Sequence, residues 1–291
     1  MTTILVHGGA GEVTPDRHDR LRAGVRAAAE AGDAILAAGG RALDAVVAAV
    51  RVLEDDPEFN AGLGAALTRD GTVETDASVM DGEHQRVGAV AAVPDLGRAI
   101  ALARAVLDAG EHVLLAGPAA WRFAAEVGIT PAAAGALVTE RARARLARHG
   151  TVGAVARDAA GRFAAATSTG GISGKRSGRV GDTPVPGAGT WADAHAAVSA
   201  TGDGEAILRV ALSRGLAARI AAGASAAAAA RAALAELARI TGGSAGVIAL
   251  DRDGLAGIQL SATMPIAFVT RDGDRIVRAD SLGERYDVVG M

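Results

Sequence analysis

Gly150-Thr151-Val152-Gly153-Ala154-Val155-Ala156 opens the stretch that decides the fold. It continues through Ala166-Thr167-Ser168-Thr169-Gly170-Gly171 and Ser177-Gly178-Arg179-Val180-Gly181-Asp182, and closes on Thr201-Gly202-Asp203-Gly204-Glu205. Short apolar runs alternate here with hydroxyls, glycines, one arginine and one aspartate. Thr151–Ala156 and Phe163–Thr167 read as two strands joined by the turn Arg157-Asp158-Ala159-Ala160-Gly161. Thr167 and Ser168 then sit on opposite faces of their strand.

Upstream, Ile4–Val6 is an apolar strand that runs into His7-Gly8-Gly9-Ala10-Gly11, a glycine turn. Leu21–Ala38 and Ala42–Leu53 have the spacing of helices, the second with an apolar stripe at 43, 46, 47, 50 and 53. An extended segment over 72–79 leads into the turn Met80-Asp81-Gly82. Val87–Val93 is a strand, Arg98–Leu107 a helix, Val113–Leu115 a short extended piece and 118–127 a helix. Residues 129–149 change character, and the arginine-rich segment Val138–Arg148 suits either a surface helix or a linker. Downstream, Glu205–Ala222 and Ala224–Arg239 read as helices. Val247–Leu250 and Ala256–Leu260 form a hairpin, and Ile266–Val269 with Arg275–Val277 a last strand pair. Strands and helices in both halves fit an α+β arrangement of two facing sheets with helices outside.

Half of the residues are apolar, so a large core can form. Net charge is −3, which argues against a polyanionic partner such as nucleic acid. Aromatics are 2% of the chain, leaving little surface for stacking bases or sugars. Without cysteine, disulfides and thiolate metal sites are excluded. No apolar run reaches membrane-spanning length, and the first residues lack a signal-peptide pattern, so a cytoplasmic location is expected.

A threonine hydroxyl is a poor nucleophile unless a base takes its proton. A threonine that begins a chain carries such a base in its own α-amine, whose pKa of about 7.7–8.0 suits the task at neutral pH. Thr151 is internal, so it would need the Gly150–Thr151 bond to be cut. Its hydroxyl can attack the Gly150 carbonyl, and Gly150, lacking a Cβ, permits close approach. Taken alone, Gly-Thr-Val-Gly fits equally an ordinary β-branched start of a strand.

The ordered motifs remove that ambiguity. With Gly187-Ala188-Gly189, Phe59-Asn60-Ala61-Gly62-Leu63-Gly64, Thr75-Asp76-Ala77-Ser78-Val79-Met80-Asp81-Gly82 and His112-Val113-Leu114-Leu115, they span nearly the whole chain. The sequence resembles the plant-type asparaginase and isoaspartyl peptidase family of N-terminal-threonine hydrolases. The resemblance implies a four-layer αββα sandwich forming a single domain, self-cleaved into residues 1–150 and 151–291 and paired as a homodimer of such units. It implies cleavage of the β-amide of L-asparagine and of β-aspartyl dipeptides, with glycosylasparaginase or an unprocessed, silent aspartate-binding protein as alternatives.

By the same resemblance, Thr151 is the nucleophile, Thr169 hydrogen-bonds it, and Thr201 and Gly202 form the oxyanion hole. Arg179 holds the substrate α-carboxylate and Asp182 its α-ammonium, with Val180, Gly181, Asp203 and Gly204 completing the substrate site. A guanidinium fork and a carboxylate three residues apart suit a group bearing both charges on one carbon. Asn60 lies near the nucleophile or serves a turn. His7 is structural. Leu53, Glu54, Asp56, Phe59, Ala61 and Leu63 correspond to a loop whose backbone carbonyls hold a structural sodium ion; catalysis needs no cofactor. Thr190, Trp191 and the segment Gln259–Met264 depart from the family pattern and bear on the leaving group.

Overall fold

The computed structural model describes residues 1–140, 142, 150–259, 263–282 and 286–288. Most of the expected segment Val138–Arg148 and the centre of Gln259–Met264 lie outside these residues.

β1 (Thr2–His7) continues the N-terminal apolar run to the glycine turn. It lies between β11 (Ile266–Asp272) and β5 (Val152–Arg157), antiparallel to both. β5 pairs with β6 (Phe163–Thr169), which pairs with β2 (Glu74–Asp81), also antiparallel. With β3 (Arg86–Pro94), β4 (Leu114–Ala116) and β12 (Arg275–Ser281), these make an eight-stranded sheet ordered β12-β11-β1-β5-β6-β2-β3-β4. A second sheet has the order β13-β10-β9-β8-β7, from Tyr286–Val288, Leu255–Gln259, Ala245–Leu250, Ala197–Gly202 and Thr190–Ala192.

Side chains alternate across each strand, so each face of the larger sheet meets a different layer. Ile4 and Val6 share one core cluster with Val25, Val46, Ile100 and Ala124, which lie on α1 (His18–Ala37), α2 (Ala42–Glu54), α3 (Ala99–Ala109) and α4 (Ala120–Glu126). Leu5, Val155 and Ala165 face the other way and pack with Ala197, Ile248 and Leu250 of the second sheet. The far side of that sheet, at Val198 and Val247, is covered by Ile207, Leu216 and Leu234. Being covered on both faces, β5 and β6 consist almost wholly of buried small and apolar residues. Among the described residues no helix is long and apolar enough to cross a membrane.

Two expectations are corrected. The helix expected over Glu205–Ala222 is two, α5 (Gly204–Val210) and α6 (Leu212–Ala221), because Ala211 adopts a left-handed φ of 48°. α7 (Ala226–Thr241) follows, capped by the Ser225 side chain and ended at Gly242 in the left-handed region. The second difference is that β7 and β8, absent from the sequence reading, form the edge and the next strand of the smaller sheet.

Candidate active site

The strands carrying the three candidate threonines converge at one end of the two sheets. β5 begins immediately after Thr151, so backbone pairing fixes that residue. Its side chain is buried, and Thr151 Oγ1 donates to Thr169 Oγ1 at 3.3 Å. Thr169 Oγ1 donates in turn to the carbonyl oxygen of Gly150 at 2.9 Å and accepts from the Gly171 amide at 2.9 Å.

Asn60 completes this arrangement. Its Nδ2 donates to Gly150 O and to Gly171 O, both at 2.6 Å, while its Oδ1 accepts from Ala66 N at 2.7 Å. The Gly150 carbonyl thus holds two donors beside the Thr151 hydroxyl, an arrangement suited to charge developing on that oxygen. Gly9, at φ 102°, crosses this peptide so closely that a Cβ there would lie 3.1 Å from both Gly150 Cα and Thr151 N.

A narrow cleft opens from the same point, lined by Gly150, Thr151, Thr169, Arg179, Asp182, Gly202 and Gly204, among others. Arg179 forks onto Glu205, with Nε to Oε1 at 2.9 Å and Nη2 to Oε2 at 2.7 Å. Gly204 sits between the two clamp residues: a Cβ there would meet Arg179 Nη2 and Asp182 Oδ1, each at 2.8 Å. Asp182 is buried, and its Oδ2 has no hydrogen-bond partner among the described residues. Burial pushes its carboxyl up to about 7, against the opposing pull of its own backbone amide and of Arg179.

The remaining expected residues are placed differently. Thr201 is fully buried, and its Oγ1 accepts from Ala10 N at 3.1 Å, leaving its own proton to donate elsewhere. Gly202 adopts φ 130°. Gly181 N donates to Asp76 Oδ2 at 3.3 Å, and Val180 is half-buried. Asp203 spends its side chain on capping α5, accepting from Ala206 N at 3.3 Å.

The side chains of three buried ionisable residues had no role in the sequence analysis, where Glu54 was expected only to offer its backbone carbonyl to a cation. Asp76, in β2, holds both Gly181 N and Ala92 N, the latter at 2.7 Å. Burial raises its pKa, and the nearby Lys175 opposes that rise. Lys175 is itself buried, which lowers its pKa, and donates to Glu74 O at 2.8 Å. Glu54 accepts from Ser168 Oγ at 2.6 Å and Ile100 N at 3.0 Å, and burial pushes it up to about 8. An acid in a buried strand was the available signal for Asp76, and one closing an apolar helix for Glu54; Lys175, between Ser173-Gly174 and Arg176-Ser177, had none.

In the loop from Leu53 to Leu63, the carbonyls of Asp56 and Ala61 accept from Phe59 N at 3.2 Å and Gly64 N at 3.0 Å. Side chains at Gly62 and Gly64 would strike the carbonyl oxygens of Glu54 and Phe59. Those oxygens therefore face the glycines. Among the described residues no group of three or more histidines or carboxylates could hold a metal ion.

The sequence model of the family described as Asparaginase matches residues 1–148 and 140–277. The chain is 44% identical over 288 residues to the isoaspartyl peptidase/L-asparaginase of Bos taurus, covering 93% of each. It is 48% identical over 228 residues to the protein of that name from Homo sapiens, covering 72% of this chain and 74% of the relative. The isoaspartyl peptidase of Salmonella typhimurium is 42% identical over 279 residues, covering 86% and 89%. The chain belongs to the asparaginase family that these relatives represent.

Proposed function

We propose that this chain is a threonine amidohydrolase that cuts itself between Gly150 and Thr151 and then releases L-aspartate from L-asparagine and β-aspartyl dipeptides. The observation that carries the reading is the Gly150 carbonyl, held by Asn60 and Thr169 beside the Thr151 hydroxyl. The names of the relatives support the substrate class.

In the first reaction the Thr151 oxygen attacks the Gly150 carbonyl carbon, giving up the proton that the departing nitrogen takes, while Thr169 keeps its own proton for the carbonyl oxygen. Asn60 Nδ2 and Thr169 Oγ1 hold the resulting oxyanion. The C–N bond breaks, the nitrogen takes a proton, and an ester links Gly150 to Thr151. Water hydrolyses that ester, freeing the hydroxyl and the α-amine of Thr151.

In the second reaction this amine is the base. The hydroxyl attacks the side-chain amide carbon of the substrate, and Thr201 Oγ1 and Gly202 N donate to the oxyanion. Ammonia or an amino acid leaves with a proton, and water releases aspartate from the acyl-enzyme. Arg179 takes the α-carboxylate and Asp182 the α-ammonium. The unpartnered Oδ2 of Asp182 at the cleft supports the second pairing. Val180, Gly181, Asp203 and Gly204 shape the clamp.

The two sheets and their helix layers support a four-layer αββα sandwich, a single N-terminal nucleophile domain cut into residues 1–150 and 151–291. We further propose a homodimer of cleaved units acting in the cytoplasm, with the carbonyls of Leu53, Glu54, Asp56, Phe59, Ala61 and Leu63 around a sodium ion. Incubating the purified protein with asparagine, β-Asp-Leu and a glycosylated asparagine tests the assignment. Turnover of the first two is expected; turnover of the glycosylated compound alone, or of none, overturns it.

A further inference from the structure

A row of buried polar residues crosses both sheets directly beneath the candidate site. In the larger sheet His7 pairs in register with Gly153, Gly153 with Thr167, and Thr167 with Ser78. In the smaller sheet Ser199 pairs with Thr190. All five polar side chains are buried, and they join between the sheets into one chain of hydrogen bonds. Ser78 Oγ donates to Thr183 O at 2.6 Å and lies 2.7 Å from Thr190 Oγ1. Thr190 Oγ1 lies 2.6 Å from Thr167 Oγ1. Thr167 Oγ1 meets Ser199 Oγ at 2.9 Å, and Ser199 Oγ meets His7 Nε2 at 2.9 Å.

Each hydroxyl has a single proton. A carbonyl only accepts, so the Ser78 proton goes to Thr183 O; Ser78 then accepts from Thr190, Thr190 from Thr167, Thr167 from Ser199, and Ser199 from His7 Nε2. The ring proton therefore sits on Nε2, in keeping with a buried Nδ1 that has no hydrogen-bond partner among the described residues. Burial keeps the ring neutral, pulling its pKa down to about 3, so this polarity holds throughout the working range.

The row lies two residues from the reacting groups on every strand concerned. Thr151 precedes Gly153 by two, Thr169 follows Thr167 by two, and Thr201 follows Ser199 by two. At the rise of an extended strand this is about 7 Å. The other end grips the Thr183 carbonyl, next to Asp182 of the clamp. Gly153 supplies the mechanical link, because any side chain there would strike Ser199 Oγ and His7 Nε2. The nucleophile strand therefore rests on the histidine–serine hydrogen bond.

We propose that Ser78, Thr190, Thr167, Ser199 and His7 form a positioning relay that aligns Thr151, Thr169, Thr201 and the clamp loop with one another, acting through the tautomer of His7. None of the five touches the substrate, and no proton moves along the chain during the reaction. The proposal rests on the cleavage-and-hydrolysis reading above.

The test compares Thr167→Val, which keeps shape but removes the hydroxyl, with Thr167→Ser, which keeps the hydroxyl. A misalignment of the order of 1 Å costs about a hundredfold in rate. Thr167→Val should therefore lose about ten- to a hundredfold in kcat on asparagine, with KM within about twofold, and should slow the Gly150–Thr151 cut. Thr167→Ser should recover most of both. Nitrogen NMR of the His7 ring, assigned by its loss in His7→Gln, should show the proton on Nε2 in the parent and in Thr167→Ser. Thr167→Val should show mixed tautomers. Should Thr167→Val fail to fold, Thr190→Val against Thr190→Ser gives the same comparison of cutting and kcat. Unchanged kcat, cut rate and tautomer in the valine variant would overturn the relay, as would a parent ring protonated on Nδ1. A parent that cuts itself but turns over no asparagine would sink the substrate reading alone, since cut rate and tautomer still judge the relay.

Discussion

Replacing Asp182 by asparagine should make the protein more stable and nearly inactive. The carboxyl lies at about 7 in the folded chain against an ordinary 3.8, chiefly because burial disfavours its charge. An acid raised in this way binds more protons when folded than when unfolded. Its contribution to stability therefore falls as pH rises from about 4, and the full penalty is present above about 7. At about 1.36 kcal/mol per pH unit, that penalty is on the order of 4 kcal/mol at pH 8 and about half as much at pH 5.5. Asparagine cannot ionise, but it buries an amide donor where Oδ2 has no partner, which returns about 1–3 kcal/mol of cost. The net gain is about 1–3 kcal/mol, or about 2–5 °C in Tm at pH 8 for a chain of this size. The same change leaves a bound ammonium without its carboxylate, at about 2–5 kcal/mol. That is about a thirtyfold to several-thousandfold loss of kcat/KM on asparagine. Thermal unfolding at pH 8 and pH 5.5 and aspartate release measure the two effects. A Tm no higher than the parent's at pH 8, or a gain that does not shrink at pH 5.5, would refute the electrostatic reasoning. A kcat/KM within threefold of the parent would refute the clamp.

Asn60→Ala removes the 2.6 Å donor from Gly150 O and should slow self-cleavage by about 10²–10³, read as persistence of full-length chain on a denaturing gel; normal cutting would exclude Asn60 from that oxyanion site. Arg179→Ala should cut normally yet lose about 2–5 kcal/mol in kcat/KM, because the scissile peptide offers no free α-carboxylate; equal turnover of asparagine would remove Arg179 from the clamp. If residues 53–63 hold sodium, Tm should be higher in sodium chloride than in choline chloride at equal ionic strength, and equal values would count against the site.

Much of the site could be read from the residues because glycine and hydroxyl motifs mark backbone geometry. Gly150, Thr151, Thr169, Arg179, Asp182, Gly202 and Gly204 do line one cleft. Other features left little trace. β8 is Ala-Val-Ser-Ala-Thr-Gly, whose small residues fit between two sheets but carry weak strand propensity. The break at Ala211 has no proline or glycine to announce it; after its left-handed φ the amides of Ser213 and Arg214 donate to the distant carbonyls of Ala188 and Gly187. Thr167 and Ser168 do take opposite faces, one bonding Ser199 and the other Glu54. Which hydroxyls would meet across the sheets depends on two registers and their relative placement, and no local pattern encodes that. Thr190, whose departure suggested a leaving-group role, is buried in that hydroxyl chain instead. Asp203 resembled a substrate contact in its motif, yet its side chain meets the first amides of α5, as an N-cap residue does.

The central claim is that Thr151 becomes a catalyst by becoming a chain terminus, and the most direct measurement follows purified protein on a denaturing gel beside its asparagine turnover. Activity should rise in step with conversion to two pieces, the smaller beginning at Thr151 on N-terminal sequencing. Thr151→Ala should stay whole and inactive. Full turnover by chain shown to be uncut, or a new terminus at any other residue, would contradict the account.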